Sequence, residues 1–264
     1  MSAPLLRLES VTMAFGGLKA VADLDLEVRS GELVGLIGPN GAGKTTVFNV
    51  ITGVYTPTAG RILLEGRPIQ GLKPHAIARH GITRTFQNIR LFSTRCCRDN
   101  VCIASHQHTR ASLLDTLLRS HRFETDEREM QARASELLDL LGLAPWEDTI
   151  ASELPYGQQR RLEIARALAG KPKLLLLDEP AAGLNPQESD QLMHLIEDLG
   201  PRFGLTILLI EHDMRVVMGI CRRIAVLDYG IKIAEGNPAE IRSNPHVIEA
   251  YLGEEIPADL GAGG

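Results

Sequence analysis

The residues most suggestive of chemistry are Gly38-Pro39-Asn40-Gly41-Ala42-Gly43-Lys44-Thr45, followed by Thr46. They fill the pattern G-x-x-x-x-G-K-[ST] and lie between an apolar run, Leu33–Ile37, and a helix-like stretch, Thr45–Thr52. Glycines at these positions let successive backbone N–H groups turn inward around a polyphosphate. The helix N-terminus that follows adds partial positive charge. Lys44 is placed to reach the β- and γ-phosphates, and the Thr45 hydroxyl to ligate Mg²⁺. A second group follows the apolar run Leu174–Leu177: Asp178 then Glu179. Asp178 suits Mg²⁺, directly or through a water, and Glu179 would face the γ-phosphate, where a carboxylate can orient and polarise an attacking water. A third group is less regular. Cys96, Cys97 and Cys102 precede His106 and His108. These are metal-ligand residue types, but there is no C-x₂-C pair and adjacent cysteines make awkward joint ligands. Reduced thiols are the expected state.

A loop of this kind works only at the end of a buried strand. The chain has 264 residues, 44% hydrophobic and 23% charged, with a net charge of -5. That length fits one large or two small domains and buries a core without disulfides or metals. Four cysteines in such a chain do not make a disulfide scaffold. The acidic balance argues against a nucleic-acid partner and against attraction to an anionic membrane surface. No apolar run approaches the roughly 20 residues of a bilayer span, and Met1–Leu6 does not resemble a signal peptide. A cytoplasmic location is expected.

The supporting elements alternate. Leu5–Leu8, Leu24–Val28 and Leu33–Ile37 read as strands, and Arg61–Leu64 and Pro68–Ile69 as a hairpin around Glu65-Gly66. This stretch predicts an antiparallel edge layer around one buried strand. Leu174–Leu177, Leu205–Ile210 and Ile224–Leu227 are continuous apolar runs, as expected for parallel strands covered on both faces. Helical patterns at Gln158–Leu168 and Pro186–Leu199 lie between them, so the fold class is α/β with crossover helices. Between Ser112 and Leu143 the pattern changes. Leu113, Leu114, Leu117 and Leu118, then Leu137, Leu138, Leu140 and Leu141, recur at helical spacing. They predict an all-α subdomain inserted into the core. The small-residue tail Ala258–Gly264 is expected to fray.

With these elements in place, the chain resembles the nucleotide-binding subunits of ABC transporters. Leu154-Pro155-Tyr156-Gly157-Gln158 stands where that family carries its signature, Gln87 in Arg84-Thr85-Phe86-Gln87-Asn88 matches the Q-loop, Gly183-Leu184-Asn185 the D-loop, and His212 the switch histidine. The match extends over about Leu5 to Gly253. It looks closest to the ATPases of branched-chain amino acid uptake, through Gly81–Phe92, Tyr156–Arg166, Ala181–Pro186 and Asn244–Gly253. Urea-uptake and lipopolysaccharide-export ATPases share parts of these stretches.

The resemblance implies a phosphate-loop NTPase core with a mostly parallel sheet, an antiparallel β edge layer and an inserted α-helical subdomain. It implies one nucleotide-binding domain over residues 1–255, with the core at 1–85 and 165–255, the Q-loop and helical subdomain at about 86–164, and a tail at 256–264. Its cofactors would be ATP and Mg²⁺. Two such cassettes would pair head to tail, each nucleotide lying between the Gly38–Thr46 loop of one and the Tyr156, Gly157 and Gln158 signature of the other. Glu179, His212, Gln87 and Lys44 would be catalytic. Thr45, Gln87 and Asp178 would hold the metal, Phe15 would stack on adenine, and Asn185 would make contacts across the dimer. Partners would be integral membrane permeases, a second ATPase or a second copy of this chain, and indirectly a periplasmic or extracellular solute-binding protein, at the cytoplasmic face of the inner membrane. The permeases would dock on a loop surface around Phe86, Ile89, Arg90, Leu91 and Phe92.

Two signature positions depart from the usual Leu-Ser-Gly-Gly-Gln. Pro155 removes a hydroxyl and an N–H, and Tyr156 replaces a glycine. Readings of another class remain: a soluble ABC ATPase acting on DNA or ribosomes, for which one cassette and an acidic balance are a poor match, and a small-molecule kinase, whose acceptor site would replace the signature.

Overall fold

The computed structural model describes residues 4–106, 115 and 120–251. Two sheets carry the fold. The smaller is antiparallel, in the order β2-β1-β4-β5, from β1 (Pro4–Phe15), β2 (Leu18–Arg29), β4 (Ala59–Leu64) and β5 (Arg67–Pro68). The larger has six strands in the order β10-β9-β3-β8-β7-β6. Here β3 (Leu33–Ile37), β6 (Ile82–Arg84), β7 (Leu174–Asp178), β8 (Thr206–Ile210) and β9 (Arg223–Asp228) run parallel, and β10 (Ile231–Gly236) closes the edge antiparallel to β9.

This corrects the expected layer in one respect. The strand β3 belongs to the large sheet, between β8 and β9, and is not the centre of the antiparallel one. Its neighbours are also continuous apolar runs, so all of them need cover on two faces. Period-2 alternation divides that cover. Leu174 and Leu176 of β7 and Leu208 and Ile210 of β8 face a core shared with Leu6, Leu8, Ile62, Val47 and Phe48. Leu175, Leu177, Ile207 and Leu209 face the opposite core, with Leu162, Leu168, Leu192 and Ile196. The first core joins the small sheet to the large one, and the second joins the helices. The hairpin at Glu65-Gly66 has both residues at positive φ, 49° and 75°, as a type I′ turn requires.

The described helices are α1 (Lys44–Ile51), α2 (Pro74–Arg79), α3 (Cys97–Ser105), α4 (His121–Leu140), α5 (Tyr156–Ala169), α6 (Pro186–Phe203), α7 (Met214–Ile220), α8 (Pro238–Arg242) and α9 (Pro245–Tyr251). Leu137, Leu138 and Leu141 are fully buried at the end of α4, beside Val101 of α3 and Leu162 of α5. These three helices extend the second core rather than forming a core of their own. The leucines from 113 to 118, His108 and the tail after Tyr251 lie outside the described residues. Among the described residues no helix is long and apolar enough to cross a membrane.

Candidate functional site

Three loops leave the carboxyl ends of adjacent parallel strands, the place where open α/β sheets bind ligands. The Gly38–Gly43 loop follows β3, Glu179 follows β7 and His212 follows β8. Within the first loop Gly38 and Gly43 have φ of 152° and 99°. A Cβ at Gly38 would collide with the Leu227 carbonyl oxygen, and one at Gly43 with the Ala20 carbonyl oxygen. Only glycine lets this loop lie so close to β9 and β2. The loop is also tied by Gly230 N–H to Ala42 O at 3.0 Å. Lys44 opens α1 and is buried, its Nζ donating to Gly38 O (2.6 Å) and Pro39 O (2.9 Å). The ammonium thus lies across the mouth of a cradle of backbone N–H groups. Lys44→Ala removes the charge-assisted bond to a bound phosphate and should raise the nucleotide Kd roughly 10- to 100-fold, measured by fluorescent-nucleotide titration.

Asp178 ends β7, buried, and is paired with Arg84 at 2.6 Å. Arg84 also donates to Asn49 Oδ1 of α1 at 2.7 Å, and its guanidinium lies 5.3 Å and 5.0 Å from the centroids of the Phe48 and Phe86 rings. Glu179 has φ of 48°, a left-handed conformation unusual for a side-chain-bearing residue and a mark of functional sites. Its N–H bonds Ile210 O at 2.9 Å, so the chain turns out of the sheet while still anchored to β8. The turn brings the Glu179 carboxylate to Gln87, whose Nε2 donates to Oε2 at 2.9 Å, and to His212 Nδ1 at 3.7 Å.

His212 is mostly exposed and sits above Glu211, whose carboxylate is fully buried. Glu211 Oε1 accepts from Ala181 N–H (2.8 Å) and Oε2 from His212 N–H (3.3 Å). Burial pushes the Glu211 carboxyl up, against the opposing pull of those bonds. Thus Gln87 and His212, far apart in sequence, converge on the Glu179 carboxylate, while Glu211 ties the histidine segment to the turn after β7.

The signature stretch begins α5. The helix starts at Tyr156, two residues before the predicted boundary at Gln158, with Pro155 as N-cap. Proline fits there because an N-cap needs no N–H. Gly157 and Gln158 therefore lie in the first turn, where N–H groups are open to an anion. Asn185 caps α6, its Oδ1 accepting from Glu188 N–H at 2.9 Å while Glu188 Oε2 accepts from Asn185 N–H at 3.1 Å. Its side-chain oxygen is thereby committed within the chain. Phe15 is half-exposed at the end of β1, edge-on to Tyr55 with centroids 5.1 Å apart.

Oxygen donors dominate the metal candidates: the Thr45 hydroxyl, the Asp178 carboxylate and the Gln87 amide oxygen, left over when its nitrogen turns to Glu179. Such a set fits Mg²⁺. The described cysteines serve capping and packing. Cys96 Sγ caps α3 by accepting from Asp99 N–H at 3.4 Å. Burial pushes the Cys97 and Cys102 thiols up to about 11, so both stay protonated at neutral pH.

Residues 21–182 match the ABC transporter family model, and residues 232–256 match a model for branched-chain amino acid ATP-binding cassette transporters. The chain is 50% identical over 254 residues to the high-affinity branched-chain amino acid transport ATP-binding protein BraF of Pseudomonas aeruginosa, covering 96% of this chain and all of that one. It is likewise 50% identical, over the same shares, to LivG of Escherichia coli K12, which carries the same description. Its fold superposes on a crystallised ATP-binding cassette of an ABC transporter in its ADP conformation with a TM-score of 0.83, at 33% identity, covering 96% of this chain and all of that one.

Proposed function

The chain belongs to the ABC transporter family as one of its ATP-hydrolysing cassettes, and we propose that it drives the uptake of branched-chain amino acids. It binds nucleotide and works with membrane permeases and a second cassette. The observation that favours this cargo is the match at residues 232–256, because that stretch lies outside the ATP-binding motifs all cassettes share. A lipopolysaccharide export ATP-binding protein, LptB of Escherichia coli K12, is less similar, at 37% identity against 50% for BraF.

In the proposed cycle the Gly38–Thr46 loop and Lys44 hold the phosphates, and Thr45, Asp178 and Gln87 hold Mg²⁺. The ion, when bound, offsets charge on the β- and γ-phosphates. Glu179, oriented by the Gln87 amide, accepts a hydrogen bond from the water that attacks the γ-phosphorus, and His212 senses the γ-phosphate. The Tyr156–Gln158 turn offers N–H groups to the nucleotide of the partner cassette. Phe15 stacks on adenine, and the Asn185 amide nitrogen, not needed for the helix cap, reaches across the dimer. The permease docks beside Phe86, Arg90 and Phe92. Arg90 stacks 4.3 Å from the Phe86 centroid there, and Phe92 is half-exposed.

Purifying the tagged chain from detergent-solubilised membranes tests the assignment. Two permeases, a partner ATPase and stimulation of ATP turnover by a leucine-loaded binding protein are expected. Co-purification with export-type membrane proteins, or recovery with ribosomes or DNA, would overturn it.

A further inference from the structure

Arg160 lies on the second turn of α5 with its side chain about as buried as any charged group in the described residues, 2% exposed. Its guanidinium is divided between two segments. Nη1 donates to Phe86 O at 2.9 Å and Nη2 to Gln87 O at 2.6 Å, so the fork grips two successive carbonyls of the Q-loop. The same Nη2 donates to the Tyr156 hydroxyl at 2.8 Å, and the guanidinium lies 5.3 Å from the Tyr156 ring centroid. Glu163, one turn on and equally buried, completes the frame. It pairs with Arg160 at 3.5 Å and accepts from the N–H groups of Phe86 (3.2 Å) and Arg90 (3.4 Å). The hydroxyl end of the Tyr156 ring also faces Gly183, where even a Cβ would press on Cε1.

We propose that Arg160 is a positioning residue for Gln87, with the Tyr156 hydroxyl as its second anchor, so that the Q-loop and the signature turn move as one body. The inference rests on the assignment of Gln87 to the ATP site. A guanidinium suits the task because its planar fork fixes direction, which an ammonium does not. It also gives a physical reason for tyrosine where the family usually has glycine. The hydroxyl reaches the Arg160 fork and the ring fills the space beside Gly183, so a shift of the Q-loop is carried to the helix turn that faces the partner's nucleotide.

A positioning role predicts that the effect of the clamp vanishes when Gln87 can no longer act. ATP turnover at saturating nucleotide would be measured on the assembled transporter for Arg160→Lys and Tyr156→Phe, each in the wild-type and Gln87→Ala backgrounds. Losing the shared bond should lower kcat about fivefold in the wild-type background and leave turnover within twofold in the Gln87→Ala background. If Arg160→Lys does not fold, Tyr156→Phe, which removes a single oxygen atom, carries the comparison alone. An equal loss in both backgrounds means the clamp acts on stability or directly at the partner's nucleotide, and overturns the inference. No loss in either overturns it as well. Gln87→Ala with wild-type turnover would instead remove Gln87 from the site, and the clamp's catalytic role with it.

Discussion

Glu179→Gln binds nucleotide with a Kd within about threefold of wild type but hydrolyses it roughly 10²–10³-fold more slowly, the range expected when a positioned base is lost. The substitution keeps shape and volume, so the loop conformation at φ 48° and the anchor to Ile210 O persist. What changes is charge. Gln87 Nε2 now donates to a carboxylate at 2.9 Å, and His212 Nδ1 stands 3.7 Å from the same oxygen. An amide accepts the first bond weakly and takes no share of a proton from water. Binding is spared because, in the proposed cycle, the phosphates are held by the Gly38–Gly43 backbone and by Lys44, whose Nζ lies on the Gly38 and Pro39 carbonyls, while Glu179 acts on the water. Single-turnover hydrolysis alongside equilibrium nucleotide binding separates the two effects, and wild-type turnover in the variant would remove Glu179 from its role.

How much of this was legible in the sequence depended on the range of the interaction. The phosphate loop is local: eight consecutive residues, a strand before and a helix after, and glycines whose necessity the Leu227 and Ala20 carbonyls explain. The parallel strands were legible because runs such as Leu174–Leu177 are apolar on both faces, and both faces are buried. Strand β6 and strand β10 left no such mark. Ile82–Arg84 is three residues long, and Ile231–Gly236 is an edge strand, half-exposed and mixed in character. The assignment of β3 to the antiparallel layer failed for a related reason. Its neighbours β8 and β9 follow about 170 and 190 residues later, and no local pattern states a pairing at that distance. Among site residues, Arg84, Arg160, Glu163 and Glu211 carried no role in the sequence. Each lies within a few residues of a motif position, yet buried ion pairs and acceptors are defined only by what the fold brings against them. The usable signal was charge in an apolar setting: Arg84 one residue past Ile82-Thr83, and Glu211 directly after five buried residues of β8.

Arg84→Met is expected to be the most destabilising single change near the site, by about 3–5 kcal/mol, because it leaves a buried carboxylate without its counter-charge. The Arg84 and Asp178 side chains are each only 5% exposed, so water cannot take the cation's place. Met keeps most of the apolar stem between Phe48 and Phe86, which isolates the electrostatic part of the loss from a packing defect. The bond to Asn49 goes too, and with it a direct tie between the phosphate-loop helix and β7. For a chain of this size the thermal midpoint should fall by roughly 10 °C. Adding Asp178→Asn to Arg84→Met removes the orphaned charge and should recover about half of that fall, although the double variant forfeits a proposed metal donor. Thermal unfolding of the wild type, both single variants and the double closes the cycle. A midpoint for Arg84→Met within about 2 °C of wild type would mean that the Arg84–Asp178 pair adds little to stability. Recovery in the double would place the instability on charge: Arg84 is then the counter-ion that lets the Asp178 carboxylate lie buried at the end of β7.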